Sequence, residues 1–255
     1  MAPLNYLRPK TIEEAIDHLQ SGVVLAGSTG LTPRRAQINR VVDISDLGLD
    51  KIDRQDQIFH IGAGTSLQTI LTNAELPAAL RQACMLEAGW NMRNMSTLGG
   101  TIMDADGRSA LVTILLALSA EIVREPEGDL ITIDRFLSQR TKINLITHIR
   151  FEEPRKLLYE QVARTPLDFP IVCASLAVAD DKSGTTKVAL GGHGARPVRL
   201  PDAEDLVSKG TDRDEVERAA QRAYKDASDH WASAEYRSAV AGILVRRLME
   251  EGTQE

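Results

Sequence analysis

Aromatic residues make up only 4% of this 255-residue chain, and there are just two cysteines. Cys84 and Cys173 stand far apart among apolar neighbours, so they read as buried free thiols and cannot by themselves ligate an iron–sulfur cluster. The five histidines, at 18, 60, 148, 193 and 230, have no partner at ligand spacing, and no metal site is expected. An excess of positive charge is also missing. Lys and Arg number 30 against 36 Asp and Glu, a net charge of -6, which excludes a nucleic-acid surface and leaves no attraction for anionic lipid. The most apolar stretch, residues 110–120, is too short to cross a bilayer. Met1-Ala-Pro runs directly into Asn5, Arg8 and Lys10 without a secretory pattern, so a cytoplasmic location without membrane insertion is expected. No Ser–His–Asp, Cys–His or paired-carboxylate constellation emerges, and no catalytic residue is assigned. His193, inside Gly191-Gly-His-Gly194, reads as a turn residue.

What is present is an ordinary core-forming composition. Hydrophobic residues reach 43%, and the length suits two or three compact units. The chain is organised around Val23-Val-Leu-Ala-Gly-Ser-Thr-Gly-Leu31, a short apolar run that empties into a turn of small residues. Gly27 and Gly30 tolerate backbone angles that a side chain forbids, and Ser28 and Thr29 add hydroxyls to a row of backbone N–H groups. Ser96-Thr-Leu-Gly-Gly-Thr101 repeats that chemistry. Two such loops suit a ligand with two linked phosphates, each loop presenting N–H donors to one end of the anion. Taken singly, such a loop is more often a plain tight turn.

In chain order, Thr11-Ile-Glu-Glu14 forms a capping box, and Ile12, Ala15, Ile16 and Leu19 share one face of a helix over residues 12–20. Residues 23–25 predict a short buried strand and residues 41–44 another, giving a strand–helix–strand–strand unit whose central strand ends in the first glycine turn. A strand begins at Ile58, and Thr65 is the expected N-cap of the helix carrying Leu67, Ile70 and Leu71. Gly62-Ala-Gly64 is not a dinucleotide fingerprint, because Leu67 stands where the third glycine belongs. Pro77 opens a helix with Leu80, Ala83, Cys84 and Leu86 inward, and Leu111, Ile114, Leu115 and Leu118 mark another. A hairpin over residues 121–133 and an extended segment over 145–151 follow, with a seam at Pro154. Beyond it come three strands and two or three helices, the last carrying Val240, Ile243, Leu244 and Leu248 as its core stripe. The polar tail from Glu251 is expected to fray.

Four segments resemble the FAD-binding medium subunit of the molybdenum hydroxylases, the family of carbon monoxide dehydrogenase and xanthine dehydrogenase. They are Tyr6-Leu-Arg-Pro-Lys-Thr-Ile-Glu-Glu-Ala15, Val24-Leu-Ala-Gly-Ser-Thr-Gly-Leu31, Met92-Arg-Asn-Met-Ser-Thr-Leu-Gly-Gly-Thr101, and Val188-Ala-Leu-Gly-Gly192 with Pro197-Val-Arg-Leu200, Tyr236-Arg237 and Arg246-Arg247. The resemblance implies an α+β protein: a two-subdomain PCMH-type FAD-binding fold, residues 1–53 and 54–153, followed by a C-terminal domain, 154–255, of a three-stranded antiparallel sheet packed with helices. It implies FAD as cofactor and a flavin-dependent electron-transfer role beside a molybdopterin-binding large subunit and a 2Fe-2S small subunit, and it allows a homodimer when the chain is isolated. Carried over residue by residue, the cofactor positions are Leu25, Ala26, Gly27, Ser28, Thr29, Gly30, Leu31, Thr97, Gly99, Gly100, Thr101, Asp104, Arg108, Ile143 and Gln161.

Several of these depart from the family pattern. Ser28 replaces a glycine and Gly30 an acid in the first loop. Thr101 and Asp104 replace two asparagines, Gly107 a proline, and Ala110 an aspartate. Gln161 stands where many members carry a basic residue, and Asn144 where they carry Glu. A hydrogen bond lost to a charged group costs about 1.5–3 kcal/mol, so three lost contacts lower affinity by roughly three to six powers of ten if nothing compensates. Arg108 either pairs with a phosphate or is a solvated charge at a helix start. The alternative function is therefore a relative with a degraded flavin site that serves assembly or interaction.

Overall fold

The computed structural model describes residues 4–126, 128–139, 145–166, 168–180 and 185–252. In chain order its elements are β1 (Asn5–Leu7), α1 (Ile12–Leu19), β2 (Val23–Leu25), β3 (Arg40–Asp43), β4 (Ile52–Gln55), β5 (Ile58–Gly62), α2 (Leu67–Thr72), α3 (Ala78–Glu87), α4 (Trp90–Met95), α5 (Leu98–Asp104) and α6 (Ala110–Ala117). There follow β6 (Glu121–Glu125), β7 (Asp129–Thr132), α7 (Ile133–Gln139), β8 (Leu145–Glu152), β9 (Pro154–Val162), β10 (Val172–Ala179), β11 (Thr186–Gly191), β12 (Val198–Arg199), α8 (Pro201–Ser208), α9 (Arg213–Ala223) and α10 (Ala234–Gly252). They form two compact units, each drawing on separated stretches. The first comprises Met1–Asn73, Ala88–Asp104 and Glu121–Phe151, the second Ala74–Glu87, Ala105–Ala120 and Glu152–Glu255.

The first unit holds two sheets. A parallel sheet has the order β1-β3-β2, with α1 as the crossover. The Thr11 hydroxyl caps α1 by accepting from Glu14 N at 3.2 Å, and Glu14 reaches back to Lys10 N at 2.8 Å. The centre of this sheet is β3, with Val41 and Val42 buried, whereas β2 is an edge and Val23 is 38% exposed. The first glycine turn therefore leaves an edge strand and not the central one, which gives its backbone room to stand clear of the ladder. The second sheet has the order β4-β5-β8-β6-β7, antiparallel at β4/β5, β6/β7 and β6/β8. The cap of α2 is Ser66, whose hydroxyl accepts from Thr69 N at 3.0 Å, and not Thr65, whose buried hydroxyl has no partner among the described residues.

The second unit carries an antiparallel sheet in the order β12-β11-β10-β9, three long strands extended by the two residues of β12. Helices cover both faces. Val172, Ala174, Leu176 and Val178 of β10 pack with Ala241, Leu244, Val245 and Leu248 of α10, while Cys173 on the opposite face meets Thr113 of α6 at 3.6 Å. All eight residues of α6 are buried, which is why its sequence is apolar all round. Ile243 lies outside the predicted stripe's buried face, 46% exposed, and the buried positions include Ala241, Val245 and Met249 instead. Glu251 belongs to α10, which continues to Gly252. Both cysteines are buried, and among the described residues neither is in a disulfide.

Arg237 of α10 is completely buried and joins three backbone turns of this unit. Its guanidinium donates to Asp229 at 2.7 and 2.8 Å, to the Gly192 carbonyl at 2.7 Å, and to the Ile171 carbonyl. Burial opposes ionisation of Asp229, but hydrogen bonds from Arg237 and from Trp231 N and Ala232 N outweigh it and hold the carboxyl at about 2. A depressed folded pKa contributes stability that is complete above the unfolded value near ~4 and is lost as pH falls through the folded one. Urea denaturation across pH is expected to show Asp229→Asn flattening the acid limb between about pH 4 and about pH 2. Arg237→Met should cost about 1.5–3 kcal/mol at neutral pH, because two backbone carbonyls and the partly exposed Asp229 carboxylate lose a charged donor.

Candidate functional site

The first loop leaves β2 after Leu25, which pairs with Asp43. Ser28 turns the chain with a positive φ of 56°, and its carbonyl accepts from Leu31 N at 3.2 Å, Thr32 N at 3.0 Å and the Thr32 hydroxyl at 2.9 Å. This arrangement consumes carbonyls and leaves amides over. Among the described residues, no acceptor takes the N–H groups of Gly27, Ser28, Thr29 or Gly30. A run of successive unpaired N–H groups is a concavity of positive partial charge suited to an anion. Gly27 is obligatory here, since a Cβ on it would overlap the backbone carbonyl of Met95. The Ser96 hydroxyl adds a bond to Thr29 Oγ1 at 3.3 Å.

The second small-residue stretch is a helix start and not a loop. Leu98 N bonds the Thr65 carbonyl at 2.9 Å, Gly99 N the Ala63 carbonyl at 2.8 Å, Gly100 N the Thr97 hydroxyl at 3.3 Å, and Thr101 N the Thr97 carbonyl at 2.9 Å. Its amides are thus spent inside the unit, Gly100 the most loosely. Gly99 is small for packing, because a Cβ there would lie 2.9 Å from the Ala63 Cβ. Gly100 is exposed and faces only the Thr97 hydroxyl.

The two stretches meet across a cavity of about 410 Å3. Ala26, Gly27 and Ser28 form one wall and Asn94, Met95 and Thr97 another. Ile44, Ser45, Leu49 and Asp50, together with Gly64 and Ser66, complete it. Sequence reasoning missed this third wall because the β3–β4 connection carries no motif. The one available signal was Gly62-Ala-Gly64, whose glycines admit the Leu49 carbonyl: Gly64 N bonds it at 2.6 Å, and a Cβ on Gly62 would overlap it.

The remaining expected residues have other surroundings. Asp104, at the end of α5, pairs with Arg34 at 2.7 Å, and Arg34 Nε donates to the Gly30 carbonyl at 3.1 Å. A Cβ on Gly30 would overlap the Asp104 carboxylate. Arg108 and Gln161 belong to the second unit. Arg108 lies 5.3 Å over the Phe169 ring and 5.1 Å over the Trp231 ring, donating to the Phe169 and Pro170 carbonyls. Gln161 accepts from the Tyr159 hydroxyl at 2.7 Å. Ala110 is buried at the start of α6, where the Glu87 carboxylate accepts from Leu111 N at 3.0 Å and the Ser109 hydroxyl at 3.1 Å. Ile143 and Asn144 lie outside the described residues.

Comparison with known proteins bears on this geometry. Residues 2–151 match the family model described as the FAD binding domain in molybdopterin dehydrogenase, and residues 158–252 match the CO dehydrogenase flavoprotein C-terminal domain. The chain belongs to this flavoprotein family. It is 28% identical to the carbon monoxide dehydrogenase medium chain of Afipia carboxidovorans, covering 96% of this chain and 95% of that one. Against the nicotine 6-hydroxylase medium subunit of Paenarthrobacter nicotinovorans the identity is 27%, with 97% and 96% covered. The solved carbon monoxide dehydrogenase of Oligotropha carboxidovorans superposes with a TM-score of 0.83 at 26% identity, covering 99% of each chain. The chain is accordingly an oxidoreductase medium subunit by family, and among the described residues no helix is long and apolar enough to cross a membrane.

Stability measurements separate the roles of the small residues in this medium subunit. Ser28→Gly should gain on the order of 1–2 kcal/mol, since glycine carries no Cβ penalty at positive φ. Gly27→Ala should lose about 1–3 kcal/mol by overpacking against the Met95 carbonyl. Gly100→Ala should be close to neutral. Guanidinium denaturation of the three variants checks this order.

Proposed function

We propose that this chain binds FAD in the first unit and serves as the electron-transfer medium subunit of a multi-subunit molybdenum-dependent oxidoreductase, beside a molybdopterin-binding large subunit and a 2Fe-2S small subunit. The observation that carries the reading is the row of unpaired N–H groups from Gly27 to Gly30 at the edge of the cavity. These amides hold the diphosphate, the Thr97 and Ser66 hydroxyls add side-chain donors, and Asn94 and Met95 bound the cavity. The residues present fit the anionic part of FAD through the first loop. When bound, the flavin supplies reversible two-electron and one-electron redox chemistry, while this chain binds, orients and shields it. The organic substrate reacts at a different subunit in this reading, which agrees with the want of an acid–base constellation in the sequence.

A second reading has a specific observation behind it. The amides of Leu98, Gly99 and Thr101 are already bonded within the unit, so anion recognition from the second stretch falls to hydroxyls and to Gly100 N. In that reading the chain is an assembly subunit with weak flavin affinity.

Adding FAD to flavin-free protein and following fluorescence quenching distinguishes the two. Saturable one-to-one uptake is expected, and no uptake at saturating FAD would overturn the flavin reading and favour the assembly role. Gly27→Ala should weaken uptake about ten- to a hundredfold, the loss of one or more bonds to a charged group, whereas Gly100→Ala should bind as the parent does. Restoring an aspartate at position 110 should not help. Burial pushes the Glu87 carboxyl up to about 7, and Ala110→Asp would bury a second acid beside it, lowering stability most above pH ~7, where both ionise. Measured Tm as a function of pH checks this.

A further inference from the structure

His60 on β5 and His148 on β8 stand on neighbouring strands of the five-stranded sheet, with ring centroids 5.5 Å apart and planes inclined by 45°. Both are half-buried on strands whose alternate residues Phe59, Ile61, Thr147 and Ile149 are buried, so the imidazoles share the accessible face. Two imidazoles on one tetrahedral ion, with metal–nitrogen bonds of about 2.0–2.1 Å, place their ring centres about 5.3 Å apart. The observed separation is close to that spacing.

Thr147 Oγ1 lies 3.3 Å from the Val123 carbonyl and 3.3 Å from His148 Nδ1. A hydroxyl that donates to the carbonyl accepts from Nδ1–H, and that tautomer leaves Nε2 with a lone pair for a metal ion. His60 makes no hydrogen bond through its ring among the described residues. The nearby cation Arg150 is compensated by Glu121 at 2.8 Å. Asp53, opposite His60 on β4, turns its carboxylate to Arg54 N and the Gln55 amide, and no group of three or more ligating side chains converges among the described residues.

We propose that His60 and His148 form a two-imidazole site for one borderline divalent cation of the zinc and copper class, its other coordination positions open to water or an exogenous donor. Thr147 is a positioning residue for this site. The site involves none of the residues that line the flavin cavity.

Calorimetric titration of the full-length, tag-free chain with Zn2+ tests it. One-to-one binding is expected. It should weaken at least about tenfold in His60→Gln and in His148→Gln, and severalfold to tenfold in Thr147→Val, while His18→Gln and His230→Gln bind as the parent does. Electron paramagnetic resonance of the Cu2+ form should show two nitrogen donors in the parent and one in each single variant. Undiminished FAD uptake and far-UV circular dichroism show that the variants fold. Absence of Zn2+ binding by the parent, or unchanged affinity in His60→Gln/His148→Gln, would overturn the proposal.

Discussion

The first unit depends on one contact between two backbones, the approach of Gly27 to the carbonyl of Met95. Any side chain at position 27 would push the first loop away from the end of α4, and the cavity between them exists because nothing does. The division of labour among the amides follows from the local backbone on each side of this contact. The loop turns on the Ser28 carbonyl, so its own N–H groups stay unpaired, whereas the stretch from Leu98 to Thr101 enters a helix and spends its amides on Thr65, Ala63 and Thr97. Two stretches of similar composition therefore do different things. One leaves its main-chain amides unpaired; the other supplies a rigid wall and a few hydroxyls.

How much of this was legible in the sequence depends on the range of the interaction. Local chemistry was legible: the Thr11 cap with Glu14, the strands at residues 58–62 and 145–151, and the apolar helix near 111 all stand where short-range signals put them. Long-range choices were not. Thr65 and Ser66 are equivalent caps by type, and which one acts is decided by Leu98 N bonding the Thr65 carbonyl, a partner distant in sequence. The edge position of β2 follows from β1 pairing with β3, which no local pattern encodes. A Gly-Gly pair usually ends a helix, yet Gly99 lies inside α5, where the Ala63 Cβ and carbonyl approach too closely for a side chain. The neighbourhood of His60 and His148 is likewise a product of strand pairing and invisible to sequence spacing.

The second unit shows the same logic in its turns. Gly107, where the family resemblance expects proline, bonds Gly194 O through its N–H at 2.9 Å and accepts from Gly192 N at 2.6 Å. A proline there would lack the donor, so the departure is matched by the Gly191-Gly-His-Gly194 turn that receives it. The His193 carbonyl lies against Gly107 Cα, which makes that histidine part of a backbone clasp.

The departures from the family pattern in the first unit are coupled in the same way. An acid is expected at position 30 and an amide at 104; this chain has glycine and aspartate. A Cβ on Gly30 would overlap the Asp104 carboxylate, so a side chain can occupy that space from one position only. The Arg34–Asp104 pair is largely exposed, 56% and 45%, and such pairs add little to stability. Its effect is local: Arg34 also holds the Gly30 carbonyl, fixing the far end of the loop whose amides face outward. Gly30 and Asp104 are therefore sterically coupled, each limiting the side chain that the other position accepts.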